Sequence, residues 1–222
     1  MLLGEMPRIA KEKVDFRGFE NWKRAQEQGR GVLFLSSHVG NWEIMAAAGA
    51  AQGMELLIVT KHLKPEWLHR AIEAGRRRAG VEATYEPRTL KDVLRWLQQG
   101  KTVGIVADQY AGPPVGIRVP VFGVPTGTHS APAMIAKRTG AAVLPVVNYR
   151  TPEGGWVVEV RPALLLEPEG PEDLAKQTAA FSRELEKDIR KFPEQWLWIH
   201  KRFKGDLSPL REGEWATRVR GG

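Results

Sequence analysis

The 222-residue sequence predicts an α/β fold: a mainly parallel central sheet flanked by helices on both faces. Three observations carry that expectation. Short apolar runs at 31–37, 55–60 and 102–107 have the length and continuity of strands buried on both sides. Amphipathic stretches stand between these runs, and strand–helix alternation joins parallel strands by crossovers. The first run ends on a histidine, at the strand end where open α/β sheets place their chemistry.

Taken in order, residues 17–29 are predicted helical, with Phe19, Trp22 and Ala25 on one face and Gly29-Arg30-Gly31 as the stop. The strand at 31–37 follows, then a helix over about 41–52 and a strand at 55–60. Pro65 opens a helix reaching about residue 79, since proline fits the first helical turn. Residues 89–99 space Leu90, Val93, Leu94 and Leu97 for one helical face, with Gly100 as the C-terminal stop. Asp108-Gln109 closes the strand at 102–107. The Gly- and Pro-rich stretch 111–128, which carries Arg118, reads as a long surface loop. A helix over about 130–139, strands at 142–149 and 156–161, and a charged amphipathic helix at 172–191 complete the pattern. With no repeat or linker, residues 1–222 read as a single domain, and 1–16 and 205–222 as peripheral termini.

Composition narrows the chemistry. The chain has no cysteine, which excludes disulfides, thiolate metal sites and a cysteine nucleophile. It has no Gly-x-Ser-x-Gly elbow, P-loop or Gly-x-Gly-x-x-Gly turn. The net charge of +7 favours polyanions or an anionic membrane face. Nucleic acid is the generic partner of such a surface, but the chain carries no matching motif and none is expected. The densest basic cluster, Arg76-Arg77-Arg78, falls in a helical stretch and reads as a solvated face. His62 and His69 also read as surface residues, and Trp42, Trp196 and Trp198 as core. No run approaches the roughly 18 apolar residues of a membrane span.

The most informative segment is His38-Val39-Gly40-Asn41-Trp42-Glu43. A carboxylate reaching an imidazole fixes its tautomer and stabilises its protonated form, which makes a histidine a general base for a hydroxyl. His38 and Glu43 are therefore the expected catalytic pair, and the N–H groups of Gly40 and Asn41 the expected oxyanion donors.

These residues resemble the His-x4-Asp/Glu signature of the lysophospholipid acyltransferase superfamily. The fuller form is similar to the branch holding the lipid A biosynthesis (late) acyltransferases and the phosphatidylinositol mannoside acyltransferases. Further segments agree in order: Ala107-Asp108-Gln109, Val119-Pro120-Val121-Phe122-Gly123, and Ala136-Lys137-Arg138-Thr139-Gly140-Ala141 with Pro145. Last comes Pro193-Glu194-Gln195-Trp196-Leu197-Trp198 with His200, Lys201, Arg202 and Phe203, and the resemblance covers about residues 14–204. It implies a glycerol-3-phosphate-acyltransferase-like fold. It also implies transfer of a fatty acyl chain from an acyl carrier protein or coenzyme A thioester to a hydroxyl of a glycolipid or lipid A-like acceptor. The thioester would be a co-substrate, with no further cofactor and no metal.

Asn41, Asp108, Gln109, Arg118, Lys201 and Arg202 are then expected to bind substrate, the cations by holding phosphate. Typical members carry an N-terminal membrane helix ahead of the first residue here. The expected location is peripheral, on the cytoplasmic face of the cell membrane, or cytoplasmic without that anchor. A catalytically silent lipid-binding module and, more remotely, a metal-dependent hydrolase are the competing readings.

Overall fold

The computed structural model describes residues 2–166 and 173–204. Its centre is a seven-stranded sheet built from β1 (Val14–Arg17), β2 (Val32–Ser36), β3 (Leu56–Val59), β4 (Val81–Thr84), β5 (Thr102–Val106), β8 (Ala142–Arg150) and β9 (Trp156–Val160). The order across the sheet is β1-β9-β8-β2-β5-β3-β4, parallel except for the β8–β9 pair. The expected α/β architecture is present. Strands β1 and β4 are short and only partly buried, and each lacks the apolar run that marks the central strands.

Alternation along the central strand explains the helices on both faces. Val32 and Phe34 of β2 point to one side, where they meet α1 (Leu2–Glu12), α2 (Phe19–Gln26) and α3 (Trp42–Ala51) through Met6, Ala10, Ala25 and Ala46 to Ala48. Leu33 and Leu35 point to the other side, toward α5 (Thr89–Gln98), α6 (Ala131–Thr139) and α7 (Asp173–Lys191) through Val93, Leu97, Ala136, Phe181 and Leu185. The remaining helix, α4 (Glu66–Arg78), packs beside α1.

Two expectations are corrected. Residues 1–16 were expected to be a peripheral terminus, yet α1 buries Met6 and Ala10 in the core and β1 forms the sheet edge beside β9. The other expected terminus, 205–222, lies outside the described residues. The 111–128 stretch is not an irregular loop but a hairpin of β6 (Gly116–Val121) and β7 (Val124–His129). Val119, Val121, Val124, Thr126 and Thr128 are buried on one side of it, an alternation that the prolines between them disguise. Its two-residue turn, Phe122-Gly123, takes φ values of 50° and 81°. Both are positive, as a tight turn between twisted strands requires. The turn is tied down by the Phe122 N–H, which donates to Glu186 of α7 (2.8 Å).

Candidate active site

Strands β2, β3 and β5 run parallel, so the segments after Ser36, Val59 and Val106 emerge at the same edge of the sheet. His38 follows β2 and Asp108 follows β5. The adjacency of these strands brings residues 70 positions apart into contact: His38 Nδ1 lies 2.6 Å from Asp108 Oδ1. The His38 backbone N–H donates to Asp108 Oδ2 (2.9 Å), and so does the Trp196 indole Nε1–H (2.6 Å). A carboxylate at Nδ1 selects the Nδ1–H tautomer and leaves the Nε2 lone pair directed outward. Asp108 is 4% exposed and the His38 side chain 16%, so the acid is sealed while the imidazole keeps an open face. Burial alone would push the Asp108 carboxyl up. The His38 ring, its backbone N–H and the Trp196 indole outweigh burial and hold the carboxyl below its ordinary value.

The backbone that aims His38 is itself fixed. Gly40 has φ 68°, and a Cβ there would fall on the carbonyl of Asn148. Val39 pairs with Trp196 in an isolated antiparallel bridge, and the Leu197 N–H donates to the His38 carbonyl (3.1 Å). The Trp42 ring meets the His38 ring edge-on, with 4.7 Å between centroids. Asn41 caps α3, its Oδ1 accepting from the N–H groups of Glu43 (3.0 Å) and Ile44 (3.2 Å).

The expected His38–Glu43 pairing is not formed. Five positions along the chain, Glu43 is the second residue of α3, two past the cap, and faces α4. There it takes a two-pronged bond from Arg76, at 2.5 Å to Oε1 and 3.0 Å to Oε2. Arg76 also donates to Glu73 (2.9 Å) and Tyr85 (3.2 Å), and Tyr85 hydrogen-bonds Glu73. The expectation of a solvated Arg76 is thus corrected: its side chain is 4% exposed. Burial opposes its charge, but the two glutamates outweigh it and raise its pKa. His69 is buried as well, its ring 5.0 Å from that of Tyr85.

The other expected residues divide. Gln109 Nε2 lies 3.4 Å from His38 Nε2, beside the open nitrogen. The two expected oxyanion donors are already engaged: the Gly40 N–H donates to the Gln195 carbonyl (3.0 Å), and the Asn41 N–H to Asn148 Oδ1 (2.7 Å). Arg118 is exposed on β6 and donates to the Pro125 carbonyl (3.2 Å) across the hairpin. Lys201 is exposed. Arg202, expected as a phosphate ligand, is buried; it donates to the Gly127 carbonyl (2.7 Å) and to Thr128 Oγ1 (2.6 Å). It lines a small pocket behind the site with Asp108, Phe122, Leu185, Glu186 and Trp196. Trp198, expected in the core, is 65% exposed.

Sequence reasoning missed Trp196 as a partner of Asp108. The available signal was that a buried indole N–H needs an acceptor. His200, which reads from the sequence as part of a basic group with Lys201 and Arg202, has its Nε2 engaged within the protein, accepting from the Tyr110 N–H (3.0 Å). His129, at the end of β7, is pushed down by burial and then by the charges of Lys61 and Arg202.

The sequence profile of bacterial lipid A biosynthesis acyltransferases matches residues 5–205. The chain is 31% identical over 194 residues to a lipid A biosynthesis lauroyltransferase of Escherichia coli (strain K12), covering 84% of this chain and 60% of that protein. A lipid A biosynthesis palmitoleoyltransferase of the same strain is 29% identical, with 86% and 61% covered. A phosphatidylinositol mannoside acyltransferase of Mycobacterium tuberculosis (strain CDC 1551 / Oshkosh) is 27% identical, with 90% and 63% covered. The chain thus spans about three-fifths of the length of these curated relatives. With the profile running through both His38 and Asp108, the chain belongs to the bacterial lipid A biosynthesis acyltransferase family.

Proposed function

We propose that the chain is an O-acyltransferase that moves a fatty acyl group from a coenzyme A or acyl carrier protein thioester to a hydroxyl of a glycolipid or lipid A-like acceptor. The observation that carries this reading is the His38–Asp108 pair at the sheet's edge, with Nδ1 bound at 2.6 Å and Nε2 turned away from the acid toward the Gln109 amide at 3.4 Å. His38 Nε2 takes the acceptor's hydroxyl proton as the oxygen attacks the thioester carbonyl carbon. The resulting tetrahedral oxyanion collapses and the C–S bond breaks. The imidazolium returns the proton to the leaving sulfur, so a free thiol and an ester are formed and the protein is unchanged. Asp108 stays ionised throughout, holding the ring and stabilising its charged form. No protein nucleophile takes part.

With the Gly40 and Asn41 N–H groups engaged, the Gln109 amide beside Nε2 is the side-chain donor best placed to meet the oxyanion or to orient the acceptor hydroxyl. Glu43 supports the site from behind through Arg76 rather than by touching the imidazole. The names of the relatives point to a glycolipid acceptor, and the basic surface suits either anionic donor. Among the described residues no helix is long and apolar enough to cross a membrane, and we place this part of the protein on the cytoplasmic membrane surface.

The test is thiol release from a panel of acyl-coenzyme A and acyl carrier protein thioesters mixed with total lipid extract. Release that needs both lipid and His38, and that is abolished in His38→Ala, is the expected outcome. Thioester binding with no release from any donor would instead indicate a silent lipid-binding module.

A further inference from the structure

The segment that roofs the candidate site carries apolar side chains into solvent. It is fixed at two points: the Leu197 N–H donates to the His38 carbonyl (3.1 Å), and His200 Nε2 accepts from the Tyr110 N–H (3.0 Å). Between those points Trp198 is 65% exposed and Ile199 87%. Trp198 is not a loose side chain. Its indole N–H donates to the Pro193 carbonyl (2.7 Å), and its ring meets Trp196 edge-on at 4.6 Å. The structure therefore holds an aromatic ring and a branched aliphatic outward, next to the residues that orient His38.

A second apolar projection stands on the same edge. The segment after β3 leads into α4, whose first turn carries Trp67, 70% exposed. Exposed lysines accompany these projections along the chain: Lys61 and Lys64 in the segment between β3 and α4 that leads to Trp67, and Lys201 and Lys204 just after Ile199. Lys204 packs over the Tyr110 ring, 5.2 Å from its centroid, which fixes its place beside the segment after β5. A few apolar tips accompanied by lysines differ from the broad, charge-depleted patch of a protein interface. They match what a headgroup layer accepts: indoles at the polar–apolar boundary, an aliphatic chain below it, and long cationic stems reaching phosphate.

Building on the acyl-transfer reading, we propose that the carboxyl edge of the sheet lies directly on an anionic lipid surface. Trp198, Ile199 and Trp67 enter the interface, and Lys61, Lys64, Lys201 and Lys204 bind its phosphates. His38 then faces the bilayer, and an acceptor lipid presents its hydroxyl without leaving the membrane.

The test is flotation of the full chain with phosphatidylcholine vesicles made with and without phosphatidylglycerol. Binding is expected to need phosphatidylglycerol and to weaken with salt. The double substitution Trp198→Ser/Ile199→Ser should weaken vesicle binding by about tenfold or more. The pair Lys201→Glu/Lys204→Glu should remove the preference for anionic lipid. His38→Ala should bind vesicles like the parent chain, so failure of acyl transfer and failure of this surface are read separately. Unchanged vesicle binding in both double variants overturns the proposal. So does a parent chain that ignores vesicles yet binds acyl carrier protein in a Trp198-dependent way, which would make this a protein-docking face.

Discussion

The His38–Asp108 and Glu43–Arg76 pairs both grow from the His38-to-Glu43 segment, and both bring opposite partners within 2.6 Å. In the first pair the acid is sealed and the base is left open on one side. In the second the guanidinium is 4% exposed, and Glu43, Glu73 and Tyr85 use its donors. An imidazole takes up and returns a proton, whereas a guanidinium does not. The first pair is thus suited to chemistry, and the second fastens the motif helix α3 to α4. A carboxylate five positions from a catalytic histidine need not be the one that serves it. The cap at Asn41 turns the chain before Glu43 is placed, and strand adjacency supplies a different acid from far along the sequence.

The largest effect that would sharpen this contrast is on turnover. Asp108→Asn keeps the shape but loses the charge and the selected tautomer, and should lower kcat by about a thousandfold in the thiol-release assay. Arg76→Met, by contrast, should act on stability. It leaves the half-buried Glu43 without its cation and Glu73 with only the more distant Arg77, and should cost about 3 kcal/mol in urea unfolding. Glu43→Gln should lose part of that stability and lower kcat less than tenfold for the folded fraction. If Glu43→Gln instead matched Asp108→Asn in kcat with stability intact, the division of roles between the pairs would be wrong.

Much of this was legible before any coordinates. The continuous runs of the central strands, the amphipathic period of α5 and the glycine and proline stops placed most elements, because those signals are local. His38 was legible for the same reason: it ends a buried strand. Its partner was not, since the choice between Glu43 and Asp108 depends on which strands are neighbours. Strand order is set by crossovers that no local pattern reports. The hairpin at 116–129 was hidden by Pro120 and Pro125, which read as loop residues although Val119, Val121 and Val124 still alternate inward. Arg76 was hidden because a run of three arginines looks solvated, whereas only its first member turns inward.

Two buried aspartates extend the comparison to pH. Asp108 and Asp188 are almost equally covered, at 4% and 5% exposed, yet they shift in opposite directions. Asp188 is pushed up to about 6 by burial, with Glu159 and Glu184 adding to it, and its bond from Arg161 (2.7 Å) only partly opposes this. Its contribution to stability is fully present below the unfolded carboxylate value of about 3.9 and is lost as pH rises through about 6. Asp108, held low, contributes above about 3.9, and that contribution is lost as pH falls through its depressed native value. Urea unfolding across this range should therefore show Asp188→Asn removing a slope of about 2 kcal/mol between pH 4 and 6. Asp108→Asn should flatten the curve only below that window. A slope between pH 4 and 6 that survives in Asp188→Asn would assign it to other groups.

A more modest effect than that of Asp108→Asn tests how much of the dyad's character comes from its setting. Trp196→Phe keeps an aromatic ring against Phe122 and Trp198 but removes the N–H that donates to Asp108 Oδ2. Asp108 then retains two donors, both from His38. Losing one hydrogen bond to a charged acceptor costs about 1.5 kcal/mol, so kcat/KM should fall roughly tenfold. A fall as large as that of Asp108→Asn would mean that the indole positions the acid itself. An unchanged rate would mean that the two His38 contacts suffice and that Trp196 serves the roof segment instead. The expected middle value places Trp196 between those roles: a positioning residue that acts on the imidazole only through the carboxylate both groups touch.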